Sequence, residues 1–255
     1  SIVLKELGRL REISFRKVGE GVNKKRDTDK YDIYYQHIIL WDENELEIVG
    51  SYRIGNSDFI FKNIGVKGFY SNALFQYNEE FTPYLKDSIE LGRSFVQPKY
   101  WGTRALDYLW FGIGAYLKNN PNIKYMFGPV SISASLPTVA KDMMIFYYNH
   151  YYGSKDNLIE AKTPYQYSNN LSEIKELFDL NDKKKDFKFL KSTLSNIGVS
   201  IPTLYKQYSE IAIDDGVKFL GFNVDNSFGD CIDGFILVEV AKIKDSARQR
   251  YMENN

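Results

Sequence analysis

The chain holds one cysteine, Cys231, and two histidines, His37 and His150. A single thiol excludes an internal disulfide and any multi-cysteine metal centre, and two histidines argue against a histidine-rich one, so no metal site is expected. No apolar run reaches the roughly 18–20 residues that cross a bilayer. The first residues do not read as a signal peptide, because Ile2-Val3-Leu4 is followed at once by Lys5 and Glu6. Neither sign of charge dominates: 33 basic and 33 acidic residues cancel. The global field that would gather nucleic acid or anionic lipid is therefore missing, and only local patches remain. No repeat, low-complexity linker or domain boundary is visible.

What is present is apolar and aromatic. Of 255 residues, 44% are hydrophobic and 16% aromatic, enough for one large core in a single α/β domain. Leu4, Leu7, Leu10, Ser14 and Val18 recur at helical spacing, closed by Gly19 and Gly21. Residues 34–41 and 48–54 read as strands, and 58–85 as an irregular, aromatic stretch. Residues 89–96 form a short strand whose internal Gly92 signals a bulge. Then come a buried helix over 103–117, a core strand over 125–132 and a helix over 138–152 ended by Gly153. Two short amphipathic helices, 171–178 and 187–197, flank Lys183-Lys184-Lys185. Pro202 opens another helix. Strands at 217–224 and 235–240 precede a terminal helix near 245–252. Alternating elements around one mixed sheet predict a single α/β (α+β) domain over residues 1–255. The chain starts without methionine, inside a helix, and reads as processed, trimmed or cut from a longer protein.

Two adjoining segments carry candidate chemistry. In Ile89-Glu90-Leu91-Gly92-Arg93-Ser94-Phe95-Val96, period 2 puts Glu90, Gly92 and Ser94 on one face and Leu91 and Arg93 on the other. A bulge at Gly92 would bring Glu90 and Arg93 towards one cleft and free a backbone N–H for an oxyanion. The alternative is an edge strand with solvated charges. Next, Val96-Gln97-Pro98-Lys99-Tyr100-Trp101-Gly102-Thr103-Arg104 joins that strand to the buried helix. A helix N-terminus offers unpaired N–H groups to a phosphate, with Gly102 permitting close approach and Lys99 and Arg104 adding charge.

The strand, the Val96-Gln97-Pro98 turn and the helix resemble the acyl-donor motif of the GNAT superfamily. That superfamily's phosphate loop, Q/R-x-x-G-x-G/A, is incomplete here, since Thr103 and Arg104 follow Gly102 and no second small residue comes before Ala105. A degenerate loop suits a carrier-bound phosphopantetheine, which presents one phosphate, better than coenzyme A. A closer resemblance spans nearly the whole chain. Phe15-Arg16-Lys17-Val18-Gly19-Glu20-Gly21, Asp29-Lys30-Tyr31-Asp32-Ile33-Tyr34-Tyr35, Ile48-Val49-Gly50-Ser51-Tyr52-Arg53, Glu90-Leu91-Gly92-Arg93-Ser94 and Phe222-Asn223-Val224-Asp225 with Asp233-Gly234 are similar to one bacterial group. It is the haemolysin-like, ornithine-acyltransferase-like family, which includes N-acyl amino acid synthases. In several bacteria this module is fused to, or encoded beside, a glycerolipid O-acyltransferase. The acyl-homoserine lactone synthases are more distant relatives. Their R-x-x-x-F falls on Arg11 and Phe15, their D-x-x-D on Asp29 and Asp32, their strand-end arginine on Arg53, and their E-x-x-R on Glu90 and Arg93.

The resemblance implies a cytoplasmic enzyme with a GNAT-like fold, whose mostly antiparallel mixed sheet splays at the acyl-donor site. It would move a long acyl chain, with or without a 3-hydroxyl, from acyl carrier protein, or less favourably from coenzyme A, to the amino group of glycine, ornithine or another small amine. No cofactor would be bound beyond that thioester co-substrate. Glu90 would act as base, directly or through water. Arg53 and Arg93 would grip the acceptor's carboxylate or orient Glu90. Arg11, Phe15, Asp29 and Asp32 would bind substrate; from their place after the core strand, Ser131 and Ser133 would either bind substrate, hydrogen-bonding the pantetheine, or cap the next helix. Gly92, Ser94, Val96, Lys99, Gly102, Thr103 and Arg104 would hold phosphopantetheine. His37 is the second candidate base. With Asp42 it satisfies H-x-x-x-x-D, the pattern of O-acyltransferases that would acylate a lysolipid, but residues five apart on a strand face opposite ways. Two further readings compete. The acids and arginines could form an ion-pair network that pins the N-terminal segment to the sheet. The chain could also be a non-catalytic carrier- or lipid-binding module with peripheral membrane contact. The aromatic stretch 58–85 reads equally as an acyl tunnel or as core.

Overall fold

The computed structural model describes residues 1–253. Helix α1 (Ile2–Lys17) is capped by the Ser1 hydroxyl, which accepts from the Leu4 amide at 3.1 Å. It buries Leu7, Leu10, Arg11, Ser14 and Phe15 along one stripe. Strands β1 (Gln36–Asp42) and β2 (Glu47–Asn56) follow as a hairpin. Next come α2 (Ser57–Asn63), β3 (Phe75–Tyr77), α3 (Thr82–Leu85) and β4 (Ser88–Val96). Helix α4 (Ala105–Asn119), β5 (Tyr125–Ile132), α5 (Thr138–Tyr152), β6 (Ile159–Ala161), α6 (Leu171–Glu176), α7 (Lys183–Asn196) and α8 (Thr203–Ile211) lead to the hairpin of β7 (Val217–Asp225) and β8 (Cys231–Glu239). The short α9 (Asp245–Arg248) and a π turn, Gln249–Glu253, close the described chain.

Six strands make one sheet in the order β1-β2-β4-β5-β8-β7. Only the β4–β5 pair is parallel; the other neighbours run antiparallel. This is the mixed, mostly antiparallel sheet expected. One face carries α4, α5, α7 and α8, which bury Trp110, Ile113, Met144, Tyr148, Leu190 and Tyr205 against it. The other face is covered by the aromatic stretch. There Phe69, Phe75 and Phe81 pack on Phe127 and Phe235, all 2% exposed or less. These rings are core rather than an open tunnel, and the small β3–β6 sheet lies over them. Lys183-Lys184-Lys185 does not lie between helices. It forms the first turn of α7, because Asp182 accepts from the Lys184 and Lys185 amides, at 3.0 Å each.

Candidate active site

β4 and β5 stay paired for three steps, Ser88↔Tyr125, Ile89↔Met126 and Glu90↔Phe127, and then part. Gly128 marks the parting point. It has φ +153°, and a Cβ there would overlap the Leu91 carbonyl oxygen. Just beyond, β4 bulges against β2. Arg53 faces Gly92 and Ser51 faces Phe95, so Arg93 and Ser94 together oppose Tyr52. The residue in the left-handed region is Arg93, at φ +47°, one place beyond the glycine that the sequence singled out.

The parted strands open a cleft of about 760 Å³. Ser94, Phe95 and Val96 line one side and Ser131 and Ser133 the other, with Trp101 from the β4–α4 turn and Phe15 and Glu20 from the end of α1. A second pocket of about 50 Å³ shares Phe15, Ser94 and Ser131 and reaches Gly92, Arg93, Phe228 and Asp233. Beyond Glu90, no strand among the described residues pairs with the β5-facing side of β4.

Behind the cleft lies a dense charge network. Arg11, wholly buried, gives an Nη1 bond to Asp32 Oδ1 at 2.8 Å and meets His37 Nδ1 through Nη2 at 3.2 Å. Arg53, 1% exposed, donates through Nη1 to both Asp29 oxygens at 2.8 and 2.9 Å and to Asp32 at 3.1 Å. Its guanidinium lies over the rings of Tyr31, Tyr35 and Tyr70. Asp29 and Asp32 also cap the turn Lys30–Ile33 reciprocally. Burial pushes Asp32 upward, but Arg11 and Arg53 outweigh it and hold the carboxyl below its ordinary range. Burial and the Arg11 charge push His37 down, so it stays neutral at pH 7. Glu90 accepts from the Tyr35 and Ser71 hydroxyls and from the Tyr70 and Ser71 amides, the last two at 3.0 and 2.7 Å. It is 1% exposed, and burial raises its pKa against the pull of those donors.

The site residues read from the sequence therefore divide. Phe15, Gly92, Arg93, Ser94, Val96, Ser131 and Ser133 line the cleft or its inner pocket. Glu90, Arg53, Arg11, Asp29, Asp32 and His37 do not; the last five belong to the charge network, and Glu90 is held by Tyr35, Tyr70 and Ser71. Lys99, Gly102, Thr103 and Arg104 sit on the turn to either side of Trp101 and are not among the cleft-lining residues. There Lys99 pairs with Glu47, Thr103 Oγ1 donates to the Tyr100 carbonyl at 2.6 Å and Arg104 pairs with Asp107 at 2.9 Å. Asp42 accepts from Tyr100 at 2.9 Å and from the Asn44 and Glu45 amides, at the far end of β1 from His37. The H-x-x-x-x-D pair is thus not a catalytic dyad. Cys231 is fully buried, and burial raises its thiol pKa, as befits an inert side chain.

Arg93 joins the two regions. It ion-pairs with Asp27 at 3.1 Å, donates to the Tyr70 hydroxyl at 2.9 Å, lies over the Tyr70 and Phe228 rings, and also lines the inner pocket. Two acids on the cleft side carried no role in the sequence reading. Asp233, on β8, lines the inner pocket. Glu20 follows the end of α1, where its amide closes on the Phe15 carbonyl at 2.9 Å. It sits between Gly19 at φ +80° and Gly21 at φ +112°, conformations that favour glycine. That glycine-flanked acid at a helix stop was the available signal. Burial pushes Glu20 up to about 7, against the pull of the Ser131 hydrogen bond and the Arg93 charge.

Comparison with known proteins agrees with this geometry. Residues 10–111 match the family described as acetyltransferase (GNAT) domain. A glycine N(alpha)-acyltransferase of Phocaeicola vulgatus is 34% identical, with 99% of this chain and 80% of that protein covered. Another of the same name, from Bacteroides thetaiotaomicron, is 32% identical over 98% of this chain and 77% of its own length. An L-ornithine N(alpha)-acyltransferase of Brucella abortus is 28% identical over 91% of this chain and 76% of its own. The chain belongs to this family of GNAT-type N(alpha)-acyltransferases and is an acyltransferase.

Proposed function

We propose that the protein transfers a long-chain acyl group from a phosphopantetheine thioester to the α-amino group of a small amino acid. The observation that carries this reading is the parting of β4 and β5 after Glu90, which opens a cleft of about 760 Å³ beside unpaired strand backbone. Its size lies within the range of small-molecule sites. A pantetheine arm laid along β4 supplies the third strand that the gap lacks, and the thioester carbonyl then meets the backbone freed at the bulge. Arg93 faces the acceptor's carboxylate from the inner pocket. That pocket, about 50 Å³ and walled by Phe15, Tyr52, Tyr70 and Phe228, favours glycine over ornithine. The relatives' names include both acceptors.

Acyl carrier protein is the preferred donor in this reading, because the turn at Gly102 makes an incomplete phosphate cradle. Gly102 has the open space and positive φ of such a loop, but Thr103 and Arg104 are engaged locally. No helix among the described residues is long and apolar enough to cross a membrane. A cytoplasmic enzyme in peripheral contact with the membrane that receives its amphiphilic product fits the proposal. So does one domain over residues 1–255, with a glycerolipid acyltransferase fused or encoded nearby. The test is mass spectrometry of lipids from a host that lacks N-acyl amino acids, with and without this chain. N-acylglycine is expected with the chain; an unchanged lipid profile from folded, abundant protein contradicts the proposal.

A further inference from the structure

We propose that Glu20, held by Ser131, is the general base of the acyl transfer; this rests on the N-acyltransferase reading above. Aminolysis needs a group that can take a proton from the attacking nitrogen. It must stand where donor and acceptor meet, have a route for protons to solvent, and keep lone pairs free for the amine. Glu90 meets none of these conditions: it is 1% exposed and already accepts from four donors. Glu20 meets them. It lies in the wall of the open cleft with Ser94, Ser131 and Ser133, and Ser94 and Ser131 also line the inner pocket.

Its placement is built by several elements. The end of α1 is fastened by the Gly19 amide to Arg16 O at 3.2 Å and the Glu20 amide to Phe15 O at 2.9 Å. The β7–β8 turn closes on it from the far side, so that a Cβ at Gly229 would stand 2.8 Å from the Gly19 carbonyl and 3.3 Å from Glu20 Cα. The charged and titratable groups facing Glu20 are Arg93 from β4 and Asp233 and Cys231 from β8. Asp225 of β7 stands behind Asp233. Arg93 and Ser131 favour the carboxylate, whereas burial favours the neutral form, which suits a group that must take and release a proton.

The steps balance as follows. The acceptor arrives as an ammonium and loses one proton to solvent through the Glu20 carboxylate. The neutral amine attacks the thioester carbonyl, forming the C–N bond. Glu20 takes the second proton from nitrogen, the C–S bond breaks, and Glu20 returns that proton to the leaving sulfur. The products are an amide and a thiol, with no oxidant, reductant or covalent enzyme intermediate.

The test uses the purified chain, hexadecanoyl-pantetheine as donor, and two acceptors, glycine and methoxyamine. Methoxyamine is neutral at pH 7 and attacks with little help from a base. Glu20→Gln, checked for fold by circular dichroism and melting, is expected to lower kcat for glycine about 10²–10⁴-fold, the usual span for a lost general base. Its methoxyamine rate should stay within about tenfold of wild type, the smaller dependence expected of a nucleophile that needs no base. Ser131→Ala removes the hydrogen bond that favours the carboxylate, so the acidic limb of kcat/KM for glycine should move to higher pH. A Gln variant within threefold of wild type on glycine, or one that loses both acceptors equally, overturns the assignment of Glu20. An unmoved limb in Ser131→Ala overturns the part given to Ser131. If wild-type protein forms no amide with either acceptor from this donor, from its carrier-protein ester or from its coenzyme A ester, the acyltransfer reading itself fails, an outcome distinct from the others.

Discussion

The N-terminal network and the cleft wall use the same residue types within a few ångströms of each other, yet differ in how many bonds each charge has left to make. Asp32 accepts from Arg11 and Arg53 as well as the Asp29 amide, and Glu90 from two hydroxyls and two amides. Glu20 has the Ser131 hydroxyl and the field of Arg93. A buried acid surrounded by donors is fixed in place and has no lone pair for a substrate. An acid with one partner at an open cleft retains that capacity. The contrast teaches that the acid–arginine motifs hold the scaffold that aims Arg93, while the proton chemistry falls to a residue on the helix-stop turn.

The sharpest way to break the comparison is to empty the network. Asp32→Ala leaves the wholly buried Arg11 without its carboxylate and takes one from Arg53, so unfolding in urea should show a loss of about 3–5 kcal/mol. A loss under about 1 kcal/mol, the size of an exposed pair, would mean the network is not structural. The opposite sign is expected at the cleft. The pKa of Glu20 is raised to about 7, above its unfolded value. Between about pH 4.5 and 7 the folded state therefore binds the extra proton, and the contribution to stability falls as pH rises through that window. Glu20→Gln removes this penalty. At pH 8 the variant should be more stable than wild type by at most about 3 kcal/mol, and at pH 4 the two should melt together. Glu90→Gln should cost about 1–3 kcal/mol, because an amide nitrogen replaces an acceptor among four donors. Its glycine rate should fall less than that of Glu20→Gln. If Glu90→Gln keeps full stability and loses more rate than the Glu20 variant, the roles of the two acids are reversed.

Much of the fold was legible because its periodic segments are long and uninterrupted. The helix ended by Gly153 and the strand that contains Gly128-Pro129-Val130 fell at 138–152 and 125–132 in both reading and structure. β8 began four residues earlier than expected, at Cys231. Its first residues include Asp233 and Gly234, which look like turn residues until they are paired with Ser131 and Val130. β3 and β6, three residues each, carry too little pattern to detect. For the site, the sequence pointed to Arg93, Ser94, Ser131 and Ser133, and these line the cleft or its inner pocket. What the sequence could not convey is direction. Glu90 and Arg93 lie three residues apart, but the bulge at Arg93 and Ser94 sends Arg93 to the pocket while Glu90 stays under the aromatic cover. Nor does spacing reveal that the end of α1 folds across β5 and delivers Glu20, since that contact joins residues more than a hundred positions apart.

The central claim is that the cleft between β4 and β5 joins a thioester to an amine. The most direct measurement is a single-turnover reaction of the protein with hexadecanoyl-pantetheine and ¹⁵N-glycine, read by mass spectrometry. The account predicts one ¹⁵N-labelled N-hexadecanoylglycine for each free thiol released. Release of thiol with hexadecanoic acid as the matching product, and no label in the acyl fraction, would contradict it.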